Sequence, residues 1–442
     1  MQIINFISEF FLTIRDDYLF FGTISSFMFI KLLWFFFIFD LPRYVFSDLF
    51  LLIFAVHERK KRKLADVYYQ SLIIDPPLVS VLIPGRNEGS TIARCVISMR
   101  EQTHKNIEII VVDDGSDDNM EAVCRDLLNR GLIDKFLRNE ERGGKASAAN
   151  SAFRLSSGRF IVHVDADSSL DRDAIQNIIK YFYNPKVGAV AGNLKVRKPF
   201  RNPIVSCQAI EYLKTITIGR RGKSSLGILR IVSGAFGAFR REMIEEAGGW
   251  DIGPGLDGDI TVKAIKGGWK VTFAPDAICL TNTPSSLTNL VKQRLRWNRS
   301  LIRFRVRKHS NVFIPHANFS YRLFFSHAEN LFFNVFLSFN WLFYLIFQLL
   351  RYPDLFRPIL LMNFLLYFCM NILQVLISLI LSERKKEEAK LLLYTPLMFL
   401  YVGYLLRPIR IISYLEEIFF KRSYSDEWNP AKVSKIAKKE GL

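Results

Sequence analysis

The chain has few cysteines, and none are grouped in a way that would hold a metal or build a disulfide framework. Its 442 residues include five cysteines, without a CxxC pair and without a cluster of histidines beside them. Zinc sites and disulfide scaffolds both need such groupings. We therefore interpret all five as free thiols in a reducing compartment: Cys95, Cys124, Cys207, Cys279 and Cys369.

Other absences exclude further classes of protein. The first residues lack a basic stretch followed by a small-residue cleavage site, so we expect no cleaved signal peptide. Internal repeats and low-complexity segments are missing as well. The net charge is +18, but no basic stripe with stacking aromatics lies on a water-soluble part of the chain, so we expect no nucleic-acid partner.

Phenylalanine, in contrast, is abundant, and its 39 residues are concentrated toward the two ends of the chain. Nearly uncharged segments of roughly 20 residues, long enough to cross a bilayer, occur at 18–40, 330–350 and 359–381. Because they have no polar face, we interpret them as membrane spans rather than buried helices of a soluble protein. Segment 41–56 is either a further span or an interfacial helix, and segment 391–406 is expected to be re-entrant or tilted.

Basic clusters lie beside the apolar segments, at 57–63 and 299–309. By the positive-inside rule they place the middle of the chain in the cytoplasm, with basic side chains near lipid headgroups. We therefore expect a multi-pass protein of the inner (plasma) membrane. Its predicted regions are an N-terminal transmembrane and interfacial segment 1–64, a cytoplasmic domain 75–298, an interfacial amphipathic segment 299–325, a C-terminal transmembrane region 326–420 and a basic cytoplasmic tail 421–442.

In the middle region, short apolar runs alternate with segments of helical periodicity. The runs at 79–84, 107–116 and 159–168 are typical of buried strands in a parallel sheet with helices on both faces. We predict an α/β domain with a mostly parallel sheet. Ligands of such sheets bind beyond the carboxyl ends of the strands, and all three runs end there in polar clusters, PGRNE, DDGSDD and DADSS.

The third of these clusters places Asp165 and Asp167 at the end of a strand. On one side of an extended chain they lie about 7 Å apart and repel each other unless a cation joins them. Mg²⁺ or Mn²⁺ shared with a diphosphate is the natural partner for such a pair. A surface pair of aspartates is the alternative, and the two neighbouring acidic strand ends favour the metal.

Two further patterns suggest a nucleotide. Asp113 and Asp114 end the second strand, where carboxylates can accept hydrogen bonds from a ribose or a base. The sequence GGK, ending in Lys145, could bring an ammonium and backbone N–H groups to a phosphate. It is not a P-loop, because GxxxxGK[ST] is absent, and an ordinary junction between a loop and a helix is an equal alternative.

The motif KQRLRW, at 292–297, leads into the basic stretch beside the membrane. Arg296 could neutralise a diphosphate leaving group while Trp297 offers a surface on which a sugar stacks. An amphipathic helix with arginine and tryptophan at the headgroups is the alternative. Arg294 points to a different helix face and need not share the role of Arg296.

In their order and spacing, these motifs resemble those of the membrane-bound processive glycosyltransferases of family 2. That family includes the poly-N-acetylglucosamine, hyaluronan, chitin and cellulose synthases. The resemblance covers roughly residues 75–300 and rests on VSVLIPGRNE, VVDDGSDD, GGKASAANSA, FIVHVDADSSLDRDA, VSGAFGAFRRE, GLDGDITVKAIKGGWKV and KQRLRW. It implies a GT-A type nucleotide-sugar-binding domain flanked by N- and C-terminal transmembrane helices.

The resemblance also implies the residue roles. In that family, the aspartate of a TED triplet is the general base that deprotonates the acceptor hydroxyl. The aligned residues here are Gly255, Leu256 and Asp257, so Asp257 takes the role of the base and Leu256 departs from the family's glutamate. Asp259, two residues on, is the weaker candidate.

The remaining roles follow from the same resemblance. Asp113 and Asp114 would hold the nucleotide, Asp165 the donor sugar and metal, Asp167 the metal, and Lys145 would approach the donor; Gln293, Arg296 and Trp297 would bind the diphosphate and cap the site, and Ser233 and Gly234, with Trp297, would line the acceptor end. One catalytic carboxylate without a nucleophile implies direct displacement, so an α-linked donor gives a β-linked product.

The prediction is an inverting, metal-dependent enzyme that polymerises a UDP-sugar, or a GDP-sugar, onto a growing glycan and exports the polymer, with membrane lipids and accessory export subunits as further partners. The alternative is a transferase that adds a single sugar to a membrane lipid such as a polyprenyl phosphate, diacylglycerol or ceramide. A non-catalytic transporter or scaffold is a third hypothesis, and the intact strand-end carboxylates argue against it.

Overall fold

The computed structural model describes residues 12–13, 15–17, 19–253, 255–315, 319–425 and 429–440. A mixed sheet of eight strands lies at the centre of the middle region, in the order β3-β2-β1-β4-β7-β6-β8-β5. The strands are β1 (Val79–Gly85), β2 (Ile107–Asp113), β3 (Lys135–Arg138), β4 (Phe160–Val164), β5 (Ser169–Leu170), β6 (Val187–Val196), β7 (Phe236–Arg240) and β8 (Lys270–Thr281).

The strand pairing confirms the predicted α/β class with a mostly parallel sheet. Strands β3, β2, β1 and β4 run parallel to one another, and β8 runs parallel to β6. Strand β7 is antiparallel to β4 and β6, and β5 is antiparallel to β8. The three runs predicted as strands are β1, β2 and β4, which are adjacent, so their polar carboxyl ends meet at one edge.

Apolar side chains alternate between the two faces of the sheet and bury both. Val81 and Ile83 of β1 face one cluster, whereas Leu82 faces another. Helices Ile92–Arg100 and Met120–Asn129 cover the first face, and helices Lys145–Leu155 and Leu256–Lys266 cover the second. The other helices of this region are Ala174–Ile179, Lys180–Tyr183, Pro203–Tyr212, Leu213–Ile218, Gly219–Ser225, Arg241–Glu246, Leu287–Ile302, Arg303–Lys308 and Ser310–Phe313.

Helices also form both ends of the described chain. They are Ser26–Leu32, Phe36–Asp40 and Leu41–Ser71 on the N-terminal side, and Tyr321–Leu331, Phe332–Phe336, Leu337–Arg351, Pro353–Leu355, Phe356–Leu381, Lys385–Glu388, Ala389–Tyr394, Phe399–Leu406, Arg407–Phe420, Arg422–Ser425 and Ala431–Glu440 on the C-terminal side. All five cysteines are free thiols.

Two continuous helices in the described residues, Tyr321–Arg351 and Pro353–Leu381, are long and apolar enough to cross a membrane. They cover the predicted segments 330–350 and 359–381. The predicted segment 18–40 is not among them, because its described part is divided into shorter helices: the hydroxyl of Ser25 accepts a hydrogen bond from the Met28 N–H and caps a new helix there. Residues 1–11 of the predicted N-terminal region lie outside the described residues.

The predicted re-entrant or tilted segment 391–406 is bent in the structure. Lys385–Tyr394 and Phe399–Phe420 meet at 69°, and together they meet the length and hydropathy criteria for one broken span or a re-entrant loop. The break coincides with Pro396, whose missing N–H and fixed φ interrupt a helix.

Two ion pairs, one of them buried, attach the C-terminal helices to the sheet domain. Lys195 of β6 donates to Glu388 at 2.6 Å, and Arg384 forms two hydrogen bonds of 2.6 and 2.7 Å with Asp171. Arg384 and Glu388 both lie just after the apolar helix Phe356–Leu381. The end of that helix is therefore fixed to the chain segment that follows Asp165 and Asp167.

Candidate active site

The carboxyl ends of β1, β2 and β4 bring acidic side chains together at one edge of the sheet. Gly85 at the end of β1 is paired with Asp113 at the end of β2, and β4 ends at Val164, directly before Asp165. Glu88 lies in the loop after β1. Burial and the nearby carboxylate of Asp165 raise its pKa, which places Glu88 beside the same acidic edge.

Asp113 is fully buried and keeps one oxygen for a ligand. Its Oδ1 accepts hydrogen bonds from the backbone N–H of Ser116 at 2.9 Å and from the Ser116 hydroxyl at 2.5 Å. Its Oδ2 is buried without a hydrogen-bond partner among the described residues. Because an unsatisfied buried acceptor costs free energy, a ligand that donates an N–H or O–H would be favoured here.

Asp114 is used differently, although the sequence predicts the same role for both aspartates. Its oxygens accept hydrogen bonds from the Asn139 amide at 3.1 Å and from the N–H groups of Gly143 and Gly144 at 2.9 and 2.7 Å. Gly144 has a φ of 84°, in the region that favours glycine, and directly precedes the helix that begins with Lys145. Asp114 therefore fixes the loop that presents Lys145.

Lys145 forms an ion pair with Asp165 across the site. Desolvation opposes the charge on both groups, but their attraction prevails: the pKa of Lys145 is raised, with a further contribution from Asp257, and the pKa of Asp165 is lowered. The charge of Arg296 also lowers the pKa of Asp165. Four predicted site residues from four different elements are thus close together.

Asp165 and Asp167 lie in a turn rather than on an extended strand, which corrects the expected geometry. The N–H of Ser168 donates to the carbonyl of Asp165 at 3.0 Å, because the chain must change direction before β5 pairs with β8. Burial and the carboxylates of Asp165 and Glu88 raise the pKa of Asp167 to about 6. The charge of Lys145 opposes this rise only in part, so the negative charge at Asp167 is incompletely compensated.

Gly234 allows the base candidate and Lys145 to approach each other. A Cβ atom at this position would lie 2.4 Å from Asp257 Oδ1, which would have to shift, and would make a tight contact of 3.1 Å with Lys145 Nζ. The buried His163 fixes the glycine, because its Nδ1–H donates to the Gly234 carbonyl at 2.6 Å. The neighbouring Ser233 is partly exposed, so the predicted acceptor pair borders the same cleft.

Asp257 lies in the first turn of the helix Leu256–Lys266 and is partly exposed. Leu256, in contrast, is only 9% exposed and packs into the apolar cluster beneath the helix. The residue that replaces the family's glutamate therefore faces the core, and Asp257 is the carboxylate of this turn that faces the cleft.

Asp259 is locked in an ion-pair network and is unavailable as a base. Its oxygens accept hydrogen bonds from Lys308 Nζ at 2.8 Å and from His309 Nε2 at 2.7 Å, and Lys308 also contacts Asp251 at 2.5 Å. Burial alone would raise the pKa of Asp259, but the hydrogen bond from His309 and the charge of Lys308 lower it to about 2. The network attaches the helix of Asp257 to the segment Arg303–Lys308.

The helix Leu287–Ile302 carries the KQRLRW motif. Gln293 has a buried Oε1 without a hydrogen-bond partner among the described residues, and Trp297 is 40% exposed. The positive charge of Arg296 lowers the pKa values of Lys145 and Asp165, so Arg296 belongs to the same group of charges. Arg294 points to another side of the helix and is buried, as its spacing predicts.

Sequence reasoning missed three residues of the site. His163 lies two positions before Asp165, so strand alternation already indicated the shared face. Glu88 belongs to the polar cluster PGRNE after β1, to which the sequence analysis assigned no individual role. Burial lowers the pKa of Arg220 to about 10, although the charge of Asp257 opposes this shift. Arg220 lies on a separate helix, and no sequence motif near it indicates the site.

We predict that Asp259→Asn lowers the free energy of unfolding at neutral pH by about 2 kcal/mol. The depressed pKa stabilises the fold above the unfolded-state value, near 4, and this contribution is lost as the pH falls through about 2. Thermal unfolding in detergent should show a wild-type advantage that shrinks below about pH 4. Asp126→Asn, in an exposed pair with Arg130, is the control; equal unfolding temperatures of Asp259→Asn and wild type at neutral pH would contradict the role assigned to Asp259.

Residues 80–248 match the model of glycosyl transferase family 2. Poly-beta-1,6-N-acetyl-D-glucosamine synthases of Staphylococcus epidermidis and Staphylococcus aureus are 31% identical to the chain over 227 and 223 residues, which is 50% of this chain and 53% of theirs. The chain thus spans about half the length of the curated relatives it matches.

The fold also resembles a solved structure. A mannosyltransferase from Pyrobaculum calidifontis, in complex with GDP-Man and Mn²⁺, matches with a TM-score of 0.53 at 21% identity, over 85% of this chain and 99% of that one. At this identity the likeness shows the GT-A fold alone. With the strand-end carboxylates, the match of residues 80–248 to the family model supports a glycosyl transferase family 2 domain in the middle of this chain.

Proposed function

We propose that this enzyme polymerises a nucleotide-activated sugar into a β-linked polysaccharide by an inverting, metal-dependent transfer. The observation that carries the proposal is the approach of Asp257 to the Lys145–Asp165 pair beside Gly234, because it combines a base with a donor site in one cleft. The relatives are named for a polymer of N-acetylglucosamine, so we propose a UDP-sugar of this type as the first candidate donor, with GDP-sugars second.

In this proposal, the free oxygen of Asp113 accepts a hydrogen bond from the nucleoside. Lys145, on the loop fixed by Asp114, and Arg296, on the opposite wall, carry positive charge to the diphosphate. The buried Oε1 of Gln293 offers an acceptor on the same wall. The donor would thus be held between the sheet edge and the helix Leu287–Ile302.

A divalent cation fits the two carboxylates Asp165 and Asp167. Burial and repulsion from Asp165 and Glu88 raise the pKa of Asp167, and a bound cation would relieve the repulsion. Among the described residues, no group of three or more His, Cys, Asp or Glu could hold a metal ion, so diphosphate oxygens and water would complete the coordination. When bound, Mg²⁺ or Mn²⁺ would neutralise charge that develops on the leaving diphosphate.

Asp257 would accept the proton of the acceptor hydroxyl. The freed oxygen forms a bond to the anomeric carbon of the donor, and the bond from that carbon to the diphosphate oxygen breaks with its electron pair on the diphosphate. Attack opposite to the leaving group inverts the configuration. Ser233 and the open space over Gly234 would admit the acceptor sugar, and the exposed ring of Trp297 would stack on it.

A small cavity of about 30 Å³ lies between the apolar helices, and it would have to widen to admit a sugar chain. Its lining includes the aromatic rings of Tyr44, Trp341, Tyr367 and Phe399, the amides of Asn371 and Gln374, and the cations Lys214 and Arg407. Aromatic faces and hydrogen-bonding groups together suit a sugar chain, whereas a simple anchor needs neither. We propose that the polymer crosses the inner membrane here, with the sheet domain in the cytoplasm and lipids or accessory export subunits around the helices.

We predict that purified protein in nanodiscs, given single UDP- or GDP-sugars with Mg²⁺ or Mn²⁺, converts one donor into long polymer. Asp257→Asn should lower the rate about a thousandfold, because the base is lost. Asp259→Asn should retain activity within about tenfold, since Asp259 only attaches the helix. Nucleotide release and product length on gels would be measured.

Three results would change this account. A single sugar on a co-purified lipid would favour transfer to a membrane lipid instead of polymerisation. Full activity of Asp257→Asn would overturn the assignment of the base. Failure to release nucleotide from any donor would favour a non-catalytic protein.

We further predict that Gly234→Ala lowers activity at least about a hundredfold while the protein stays folded, because the added methyl group would displace Asp257 or Lys145. Gly267→Ala is the matched control, since Gly267 has a φ of −72° and a Cβ there would meet its neighbours at ordinary distances of 3.4 Å or more. The elution profile on size exclusion, which reports folding, and the initial rate of nucleotide release would be compared between the two variants. Equal rates for the two variants would show that the space over Gly234 is not used.

A further inference from the structure

Arg294 of the KQRLRW motif lies outside the proposed donor site, yet it is one of the most firmly held side chains beside it. It is 8% exposed, and its guanidinium donates to the two oxygens of Glu211 at 2.7 and 2.8 Å. The hydroxyl of Tyr401 donates to the same carboxylate at 2.8 Å. A planar two-point contact of this kind fixes both the position and the plane of the guanidinium.

The guanidinium in turn contacts the exposed tryptophan of the motif. The carbon atom between the guanidinium nitrogens of Arg294 lies 4.7 Å from the centre of the Trp297 ring, three residues along the same helix. Trp297 itself is 40% exposed. Cation–π attraction to a fixed guanidinium therefore favours one orientation of the ring.

The partners of Arg294 come from elements that also line the membrane cavity. Tyr401 belongs to Phe399–Leu406, which supplies Phe399, Val402 and Gly403 to the cavity wall. Glu211 lies three residues before Lys214, another lining residue, whose ammonium donates to the Asn371 amide at 2.7 Å. The Glu211–Arg294–Tyr401 cluster thus connects the Trp297 ring to elements that line the cavity.

We propose that Arg294, held by Glu211 and Tyr401, is a positioning residue that sets the Trp297 ring in line with the membrane cavity and so determines how the acceptor sugar is registered against Asp257. The inference rests on the proposed function, since it assigns the acceptor to Trp297. Arg294 touches neither the donor nor the reacting atoms, so its loss should weaken the use of the acceptor and leave donor binding intact.

Arg294→Lys retains the charge but loses the two-point contact and the flat stacking surface. We expect the KM for short N-acetylglucosamine oligomers to rise about tenfold and the mean product length to fall several-fold, with the donor KM changed less than about twofold. Tyr401→Phe, which removes one hydroxyl and keeps the ring, should change the same two quantities in the same direction by about threefold.

Arg299→Lys is the matched control. Arg299 lies on the same helix and pairs with Glu416 at 2.5 Å, and so also contacts a C-terminal helix, but it makes no contact with the Trp297 ring among those found in the described residues. Its acceptor KM and product length should equal those of the wild type. A general loosening of the helix would instead affect Arg299→Lys and Arg294→Lys alike.

Two outcomes would overturn the inference: an unchanged acceptor KM in both Tyr401→Phe and Arg294→Lys, or donor and acceptor KM values that rise in the same proportion. If Arg294→Lys does not fold, Tyr401→Phe alone decides. If the wild type adds one sugar to a lipid, the proposed polymerisation fails, but the KM for that lipid in the same variants still tests the positioning role.

Discussion

The crowding of carboxylates at one sheet edge is the constraint on which the rest of the site depends. Asp165, Asp167 and Glu88 come together because β1 and β4 are adjacent and parallel. Negative charges so close together in a partly buried cleft raise one another's pKa unless cations approach. Lys145 pairs with Asp165 and compensates Asp167 only in part, so a divalent cation and a diphosphate would be favoured beside Asp167.

Each neighbouring element can be understood by how it meets this constraint. Asp114 holds the glycine loop so that Lys145 reaches Asp165. Gly234 leaves the space in which Asp257 joins the cluster. Arg296 adds positive charge from the helix Leu287–Ile302. Buried ion pairs such as Lys195–Glu388 join the sheet to the C-terminal helices.

The sequence predicted the strands and their acidic ends because continuous apolar runs followed by polar residues report burial and chain direction directly. Helical spacing alone also predicted that Arg294 and Arg296 lie on different faces of their helix. It did not predict that Asp113 and Asp114 have different contacts. Those contacts depend on a loop that lies about thirty residues later in the chain and binds Asp114. Long-range contacts of this kind leave no local pattern.

The same reason explains two other differences. The division of segment 18–40 depends on one hydrogen bond from Met28 to Ser25 within an otherwise apolar run. Asp259 resembles Asp257 in the sequence, and only the fold reveals that Lys308 and His309 enclose it. Glycine at 234 could be assigned to an acceptor loop by resemblance, but the reason for the glycine, the proximity of Asp257, required coordinates.

The most direct test of the account is to measure the affinity of the protein for its nucleotide-sugar donor by calorimetry, with and without Mn²⁺, in wild type and Asp167→Asn. The account predicts that Mn²⁺ strengthens donor binding at least about tenfold in the wild type and has little effect in Asp167→Asn. Asp117→Asn, whose side chain is 75% exposed, should behave as the wild type. Donor binding of equal strength with and without the metal in the wild type would contradict the claim that the acidic edge is a cation site.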